Sequence, residues 1–287
     1  MSYALSVLRS DLLGRFRDVS GNFISATQSA NYLNVAFENF TNDTECNWRE
    51  YGFFVTGKQY IYAPPADMLH SLTMMWYQNG QYEVTFLSEQ EFKSRGYMNR
   101  RISVSTPQHY TISDGNILLG PAPGTTSNTS TIITSMTSGQ TTVPIVANGL
   151  AQFQSPAGMV LIESEQIIYQ NQVSPNLTLC VRGAGGTTAA AHTFVSTPIP
   201  VSRLDLVMTY TYAFKYMSAT TDTPNIPVQY QKIPIHYALS LALKQDGRDK
   251  QAAAEMAEYM ALRKEAKRQV QKLTRDRNNR RIMTAYL

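Results

Sequence analysis

Apolar residues recur at helical spacing at the start of the chain. One such set is followed by Ser25, a residue type that commonly caps helix N-termini, and then by a second set. The first set is Leu5, Leu8, Leu12 and Phe16, and the second is Leu33, Phe37 and Phe40. The pattern therefore predicts two amphipathic helices, the second ending at residues 41–43.

Between residues 51 and 120 the pattern changes to short runs rich in β-branched and aromatic residues, joined by turn residues. Three β-hairpins are predicted, around "TGK" at 56–58, Asn79-Gly80 and Asp114-Gly115. The last two pairs are strong signals, because both central residues of a type I′ turn need φ > 0. The run "SEQE" at 88–91 matches a capping box and predicts a short helix.

The last third of the chain predicts a pair of helices. Pro234 is compatible with a first helical turn, and Gly247 with a helix end. The residues after Gly247 include no Gly or Pro, and one apolar stripe predicts a second, long helix. The stripe comprises Met256, Tyr259, Leu262, Ala266, Val270 and Leu273. Beyond it, the pair Asn278-Asn279 favours departure from the helix.

Charge is distributed unevenly along the chain. Residues 115–162 include no charged residue, whereas residues 263–281 carry nine cations and two acidic residues, a net charge of +7. Because the whole chain is +4, the remainder carries −3. The basic character therefore belongs to the C-terminus alone.

These patterns together predict an α+β fold. Residues 1–124 and 200–274 are predicted to form a helical-bundle core with a small antiparallel β-sheet region. Residues 125–199, rich in Ser, Thr and Gly and in short strand-like runs, predict an inserted all-β domain of sandwich or barrel type. Residues 275–287 are predicted to form an extended, basic C-terminal arm.

Composition narrows the class of protein. Hydrophobic residues make up 43% of the chain, enough for a folded core. No window approaches the roughly 20 apolar residues of a membrane helix. Arg9 and Asp11 interrupt the N-terminal apolar run that a signal peptide would need, so none is expected. Cys46 and Cys180 are far apart in sequence and are predicted to be free thiols.

The run "RGAGGTTAAAHT" at 182–193 raises the question of a phosphate-binding loop. Such a loop needs a helix after it and usually a lysine, and "HTFVSTPIP" follows instead. The glycines Gly183, Gly185 and Gly186 are therefore predicted to serve tight turns that require φ > 0.

Candidate catalytic and metal-binding groups are sparse. Glu163 and Glu165 would share one face of a strand, and paired carboxylates can hydrolyse glycosides. They are interpreted as a solvated strand face, because parallel side chains do not flank a substrate. The histidines lack metal-site spacing and are interpreted as packed or surface residues. They are His70, His109, His192 and His236. No catalytic, cofactor or metal site is predicted, so no enzyme activity is expected.

Two stretches resemble known phage proteins. The run from "GMVLIESEQIIYQ" to "RGAGGTTAAAHTF" resembles a small β-module that recurs in tailed-phage structural proteins. The flanking landmarks "PADMLHSLTMMWY", "YTISDGNILLGPAP" and "IPIHYALSLALKQDGRD" are similar to those of the head-to-tail adaptor (connector) proteins of tailed phages. This second resemblance covers most of residues 1–124 and 200–275, and the insert interrupts its usual pattern.

The resemblance implies a virion structural protein of the head–tail junction, made in the host cytoplasm. Its copies would form a closed ring, expected to be a dodecamer, that docks below the portal protein. Packaged DNA would pass through the lumen with non-specific contacts only, and tail, nozzle or fibre proteins would bind the ring. Neither a cofactor nor a membrane is implied. The alternative is a tail-associated module that recognises host glycan or fibre through the insert.

The C-terminal cations are denser than solvation requires. They could dock on an acidic protein surface, contact DNA phosphates or only solvate a helix. Docking is favoured, and the resemblance points to the portal protein. The candidate docking residues are Arg275, Arg277, Arg280, Arg281, Met283, Tyr286 and Leu287. The arginines would pair with acidic groups, and the apolar tip would fill a groove or add an edge strand.

Overall fold

The computed structural model describes residues 2–18, 23–76, 82–98, 104–146, 149–153, 155–194 and 196–284, without the side chains of 71, 72, 75, 76 and 273–284. The chain divides into two compact units, Met1–Trp48 with Thr211–Leu287, and Arg49–Tyr210. The α-helices of the described residues are α1 (Leu5–Phe16), α2 (Ala26–Thr44), α3 (Glu89–Ser94), α4 (Ile233–Gln245) and α5 (Asp249–Thr284).

Short strands follow one another through the second unit. The first are β1 (Trp48–Phe53), β2 (Ile61–Tyr62), β3 (Met68–Trp76), β4 (Tyr82–Phe86), β5 (Val104–Ser105), β6 (His109–Ser113), β7 (Asn116–Gly120) and β8 (Ala122–Pro123). The next are β9 (Thr129–Ile132), β10 (Val143–Pro144), β11 (Gly158–Ile162), β12 (Glu165–Tyr169), β13 (Asn171–Val173), β14 (Asn176–Thr178), β15 (Val181–Ala184) and β16 (Ile199–Arg203). The last is β17 (Leu206–Tyr212).

The first unit is a helical bundle of α1, α2, α4 and α5. Their apolar faces meet in one core, to which α1 contributes Leu12 and α2 contributes Phe37. The two helices predicted from the N-terminal spacing are confirmed, and α2 ends one residue beyond the predicted stretch. Ser25 caps α2 as predicted. Its Oγ accepts from the N–H of Gln28 at 3.2 Å, and the Gln28 side chain accepts from the Ser25 N–H at 2.9 Å.

The predicted C-terminal helix pair is α4 and α5. Pro234 lies in the first turn of α4, and Gly247, with φ 73°, separates the two helices. On α5, Tyr259, Ala266 and Val270 of the predicted stripe are buried in the bundle core. The stripe therefore positions α5 along the bundle.

The prediction that the chain leaves the helix near Asn278-Asn279 is wrong, because α5 continues to Thr284. Asparagine costs a helix at most about 0.7 kcal/mol per residue relative to alanine. So small a penalty ends a helix only where a helix-breaking residue such as Gly or Pro lies nearby. Neither residue follows Gly247 in the sequence. The predicted arm is thus helical over most of its length.

The second unit contains a seven-stranded sheet in the order β1-β17-β3-β4-β6-β7-β2. Two predicted hairpins are confirmed. Strands β3 and β4 pair antiparallel around Asn79-Gly80, a turn that itself lies outside the described residues. Strands β6 and β7 close at Asp114 (φ 50°) and Gly115 (φ 72°), both left-handed as expected. The predicted short helix is α3, capped by Ser88 with Glu91.

The predicted hairpin around "TGK" is wrong, because β1 and β2 lie at opposite ends of the sheet order. The segment between them bonds elsewhere. The N–H of Val55 donates to Ser127 Oγ at 2.9 Å, and the Ser127 N–H donates to the Val55 carbonyl at 2.7 Å. The Tyr60 carbonyl accepts from the Leu119 N–H at 2.8 Å. The turn itself forms, with the Gln59 N–H donating to the Thr56 carbonyl at 3.1 Å, but the residues on either side of it pair with long-range partners instead of with each other.

Strands β9 to β16, hereafter the β-module, form two further sheets. One has five strands in the order β15-β12-β11-β16-β9, and the other three in the order β10-β14-β13. Their apolar faces share a core around Val160, Tyr169 and Leu177. The predicted α+β class is confirmed. The independence of residues 125–199 stays a prediction, since they belong to the same compact unit as the large sheet.

Two smaller expectations concern the cysteines and the membrane. Cys46 and Cys180 are free and buried, and burial raises the pKa of each thiol to about 11. Among the described residues, none of the helices has the length and apolar character to span a bilayer.

Candidate functional site

The glycine-rich run at 182–193 forms tight turns, as predicted. Gly183, Gly185 and Gly186 have φ values of 63°, 62° and 80°. In this left-handed region, any residue with a Cβ is strained. A Cβ at Gly183 would lie 2.9 Å from the carbonyl oxygen of Thr187 and 3.0 Å from the nitrogen of Ala189. Because both neighbours are backbone atoms, only glycine fits at position 183.

These turns fold around one buried carboxylate, that of Glu165, whose side chain is 0% exposed. Its Oε1 accepts from Arg182 Nε at 2.8 Å and from the Gly183 N–H at 2.9 Å. Its Oε2 lies 2.7 Å from Arg182 Nη2, 3.0 Å from the Ala190 nitrogen and 2.9 Å from His192 Nε2. The "RGAGG" turn and the "AAAH" run thus share one acceptor.

Hydrogen bonding decides the charge of Glu165. Burial opposes ionisation and would raise its pKa, but the bonds from Arg182, Ala190, Gly183 and His192 outweigh that effect and lower the pKa to about 2. The carboxylate is therefore ionised at neutral pH. Arg182 also donates from Nη1 to the Thr137 carbonyl at 2.7 Å, so the ion pair ties a third loop to the turns.

The interpretation of Glu163 and Glu165 as a shared, solvated strand face is wrong. Glu163 lies in the turn between β11 and β12 with φ 53°, whereas Glu165 begins β12. A left-handed turn residue breaks the strand alternation on which the interpretation rested. Glu163 is 57% exposed and its Oε2 lies 2.7 Å from His192 Nδ1, while Glu165 points into the interior.

The histidines do not assemble into a metal centre. His192 is buried between the two carboxylates, in keeping with the packed interpretation. His109 Nε2 lies 2.9 Å from Arg95 Nη1, and partial burial followed by the Arg95 charge lowers its pKa. His236 Nδ1 lies 2.8 Å from Glu255. Within the described ranges, no three His, Cys, Asp or Glu side chains are placed to bind a metal ion.

Valine at Gly183 is expected to destabilise the β-module by about 2 kcal/mol or more, since a β-branched residue at φ > 0 adds strain to the clash. Gly139→Val is the matched control, because a Cβ at Gly139 meets nothing within 4 Å and its φ is not left-handed. Hydrogen exchange of β12 and β15 measures the effect. Equal protection in both variants, or saturable ATP binding by the wild type, would contradict the turn role.

A contact that the sequence analysis missed joins the β-module to β1. The side-chain amide of Gln166, which is 2% exposed, donates to the Gly52 carbonyl at 2.9 Å and accepts from the Gly52 N–H at 3.0 Å. Gln166 thus pairs with the backbone as a neighbouring strand would. A Cβ at Gly52 would lie 2.9 Å from Leu204 Cβ, an atom fixed to the backbone, so a larger residue would force this contact to shift.

A cavity of about 170 Å³ lies beside this contact. Its residues are Glu50, Ala157, Gly158, Met159, Ile168, Tyr169, Gln170 and Val207. Met159, Tyr169 and Val207 are buried, Glu50, Ala157, Gly158 and Ile168 are partly exposed, and Gln170 is exposed. The lining residues are mostly apolar, and Glu50 is the one charged residue among them.

Basic side chains are exposed along the middle of α5. Lys264, Lys267 and Lys272 are all exposed. Arg268 lies 3.9 Å from Glu265, in a pair whose side chains are both exposed, and Arg263 pairs with Asp43 of α2. Up to Lys272, the exposed side of α5 therefore presents a cationic surface next to the buried stripe.

The predicted docking residues fall beyond the described side chains. Arg275, Arg277, Arg280, Arg281 and Met283 lie on the helical backbone of α5, without described side chains. Tyr286 and Leu287 lie outside the described residues altogether. The proposed docking role of the segment therefore stays a prediction.

The family model described as SU10 adaptor protein matches residues 7–285. The chain therefore belongs to the SU10 adaptor family and is a phage adaptor protein, a structural component of the virion. A comparison with curated proteins found no match.

Proposed function

We propose that the protein is the head-to-tail adaptor of its phage. Its copies form a closed ring, expected to be a dodecamer, that docks below the portal protein and provides the platform for tail attachment. The match to the adaptor family over residues 7–285 carries this proposal. Each copy in such a ring uses two different surfaces for its two neighbours.

DNA passage fits the charge distribution. The exposed lysines Lys264, Lys267 and Lys272 give α5 a cationic surface that can contact phosphates without reading sequence. Ionic contacts of this kind weaken steeply with salt, so they allow DNA to slide. We propose that they face the DNA channel or an acidic partner surface, and that residues 275–287 dock on the portal protein.

The function is tested by assembly. Mass photometry of the purified chain is expected to show a single closed oligomer when portal protein is present at near-physiological salt. The same measurement with tail proteins then tests the platform role. An adaptor that stays monomeric with portal protein and instead binds a glycan array through the β-module would establish the alternative, host-glycan recognition.

We further propose that residues 125–199 are a separable insert that meets outer tail or fibre proteins. Every described residue of the bundle core comes from the first unit, so none of these residues belongs to the insert. Replacing 125–199 by a short Gly-Ser linker is expected to preserve the helical circular dichroism and the cooperative melting, because loop length costs little closure entropy. Loss of both signals would contradict the insert.

A further inference from the structure

Four side chains that can carry charge form one chain of contacts in the β-module. Glu163 Oε2 lies 2.7 Å from His192 Nδ1, and His192 Nε2 lies 2.9 Å from Glu165 Oε2. Glu165 in turn pairs with Arg182 at 2.7 Å. The contacts thus reach the His192 imidazole from the turn between β11 and β12, from β12 and, through Glu165, from β15. Residues 115–202 include no other Asp, Glu, Lys or Arg, so this stretch brings no further charge to the imidazole.

The two contacts of the His192 imidazole determine how many protons it carries. A neutral imidazole has one N–H donor and one acceptor nitrogen, whereas an ionised carboxylate only accepts. Both nitrogens lie within 2.9 Å of a carboxylate oxygen, so with both carboxylates ionised each nitrogen must donate. Only the doubly protonated imidazolium satisfies both contacts. A neutral imidazole would place a nitrogen lone pair against the oxygen lone pairs of Glu163 or of Glu165.

The two carboxylates differ in how firmly they are held. The Glu165 side chain is 0% exposed and also accepts from the N–H groups of Arg182, Gly183 and Ala190. Glu163 is 57% exposed, and its φ of 53° is a conformation that a residue with a Cβ keeps only under constraint. Loss of one imidazole contact would therefore free Glu163 rather than Glu165.

We propose that His192 is a pH-sensitive latch for the turn that joins β11 to β12. The doubly protonated imidazole holds the Glu163 carboxylate, and a rise in pH removes one proton to solvent. Glu165 keeps the proton on Nε2, so Nδ1 loses its proton and then repels Glu163. The latch is closed while Glu163 is ionised and the imidazole is doubly protonated, and it opens as the pH rises through the titration of the imidazole. The His192 backbone stays in place, because its N–H and its carbonyl bond to Met136 at 2.9 and 2.8 Å.

Nitrogen-15 NMR of the full chain tests the protonation of His192, because it reports on each imidazole nitrogen separately. The His192 signals are those that remain when each of the other three histidines is replaced by glutamine in turn. Both nitrogens are expected to be protonated at the lower pH, with Nδ1 losing its proton first as the pH rises. Glu163→Gln is expected to weaken the binding of that proton about threefold, a shift of the midpoint by about 0.5 pH units toward lower pH.

Glu83→Gln is the matched control for the titration, since Glu83 is exposed on β4, makes the same charge change and has no part in these contacts. It is expected to leave the His192 midpoint unchanged. A proton that leaves Nε2 before Nδ1, or a midpoint that is the same in the wild type and in Glu163→Gln, would overturn the inference. So would an equal shift in both variants.

Hydrogen exchange tests whether the turn responds to the imidazole. In the wild type, exchange of the amides of residues 162–165, corrected for the intrinsic effect of pH, is expected to rise about threefold or more through the His192 titration. In Glu163→Gln the amide side chain can accept from a protonated Nδ1 or donate to a bare one, so this rise should be absent. A rise in both proteins, or in neither, would overturn the latch even if the imidazole titrates as expected.

Discussion

Glu165→Gln is expected to lower the unfolding free energy of the β-module by about 3 kcal/mol, because it leaves a buried arginine without its ionic partner. The amide keeps the shape of the side chain but removes the charge that Arg182 faces at 2.7 Å. Its nitrogen also cannot accept from the N–H groups that now reach both carboxylate oxygens. Hydrogen exchange of β11, β12 and β15 measures the loss.

The same substitution is expected to change the response to acid. Because the folded pKa of Glu165 is about 2 and its ordinary value is 4.5, ionisation stabilises the folded state above pH 4.5. That stabilisation is lost progressively as the pH falls from 4.5 toward 2. Glu165→Gln should therefore flatten this part of the stability profile, measured by denaturant midpoints at successive pH values.

Glu163→Gln is the matched control for both measurements. Glu163 contacts the same histidine, but it is 57% exposed, so its charge is screened by water. A loss well below 1 kcal/mol is expected. If the two variants were equally stable, the buried carboxylate would not organise the turns around it.

Truncation after Leu273 is expected to leave the fold intact and to weaken attachment to portal-bearing heads by about 100-fold or more, a loss comparable to that of several interfacial charge pairs. On α5, the described residues of the bundle core extend to Val270, and the truncated chain keeps every one of them. The heads assembled with the truncated chain are expected to leak DNA. Co-sedimentation with heads measures attachment, and circular dichroism verifies the fold.

Two matched variants separate charge from shape in this segment. The positions are Arg275, Arg277, Arg280 and Arg281. Lysine at all four keeps the charge and is expected to retain part of the attachment, whereas glutamine at all four should lose most of it. Unchanged attachment of the truncated chain would exclude the segment as the docking element. A steep salt dependence that required only DNA would support phosphate binding instead.

The sequence pattern correctly predicted the features that depend on residues close together in the chain. The stripe through Leu12 and Phe16, the cap at Ser25 and the turn at Asp114-Gly115 each depend on neighbours within a few residues, and each is confirmed. The predicted hairpin around 56–58 failed because Val55 bonds to Ser127, a partner that no local window includes.

The buried role of Glu165 escaped prediction for a related reason. Its partners Arg182, Ala190 and His192 come from a run that seemed important only for its glycines. A hint was present, since Glu163, Glu165 and Arg182 are the only charged residues between 115 and 202. An isolated acid and an isolated arginine in an uncharged β-region are candidates for a buried pair.

The junction at which the chain leaves the β-module also limits its motion. Only Leu204 and Asp205 separate β16 from β17, and both are almost fully buried. The N–H of Leu204 donates to the Met159 carbonyl at 2.9 Å, and Asp205 pairs with Arg203 at 2.6 Å. Such a link has no room for a hinge. A partner that pulled on the β-module would therefore transmit the force directly to β17, because no flexible linker at this junction can extend first.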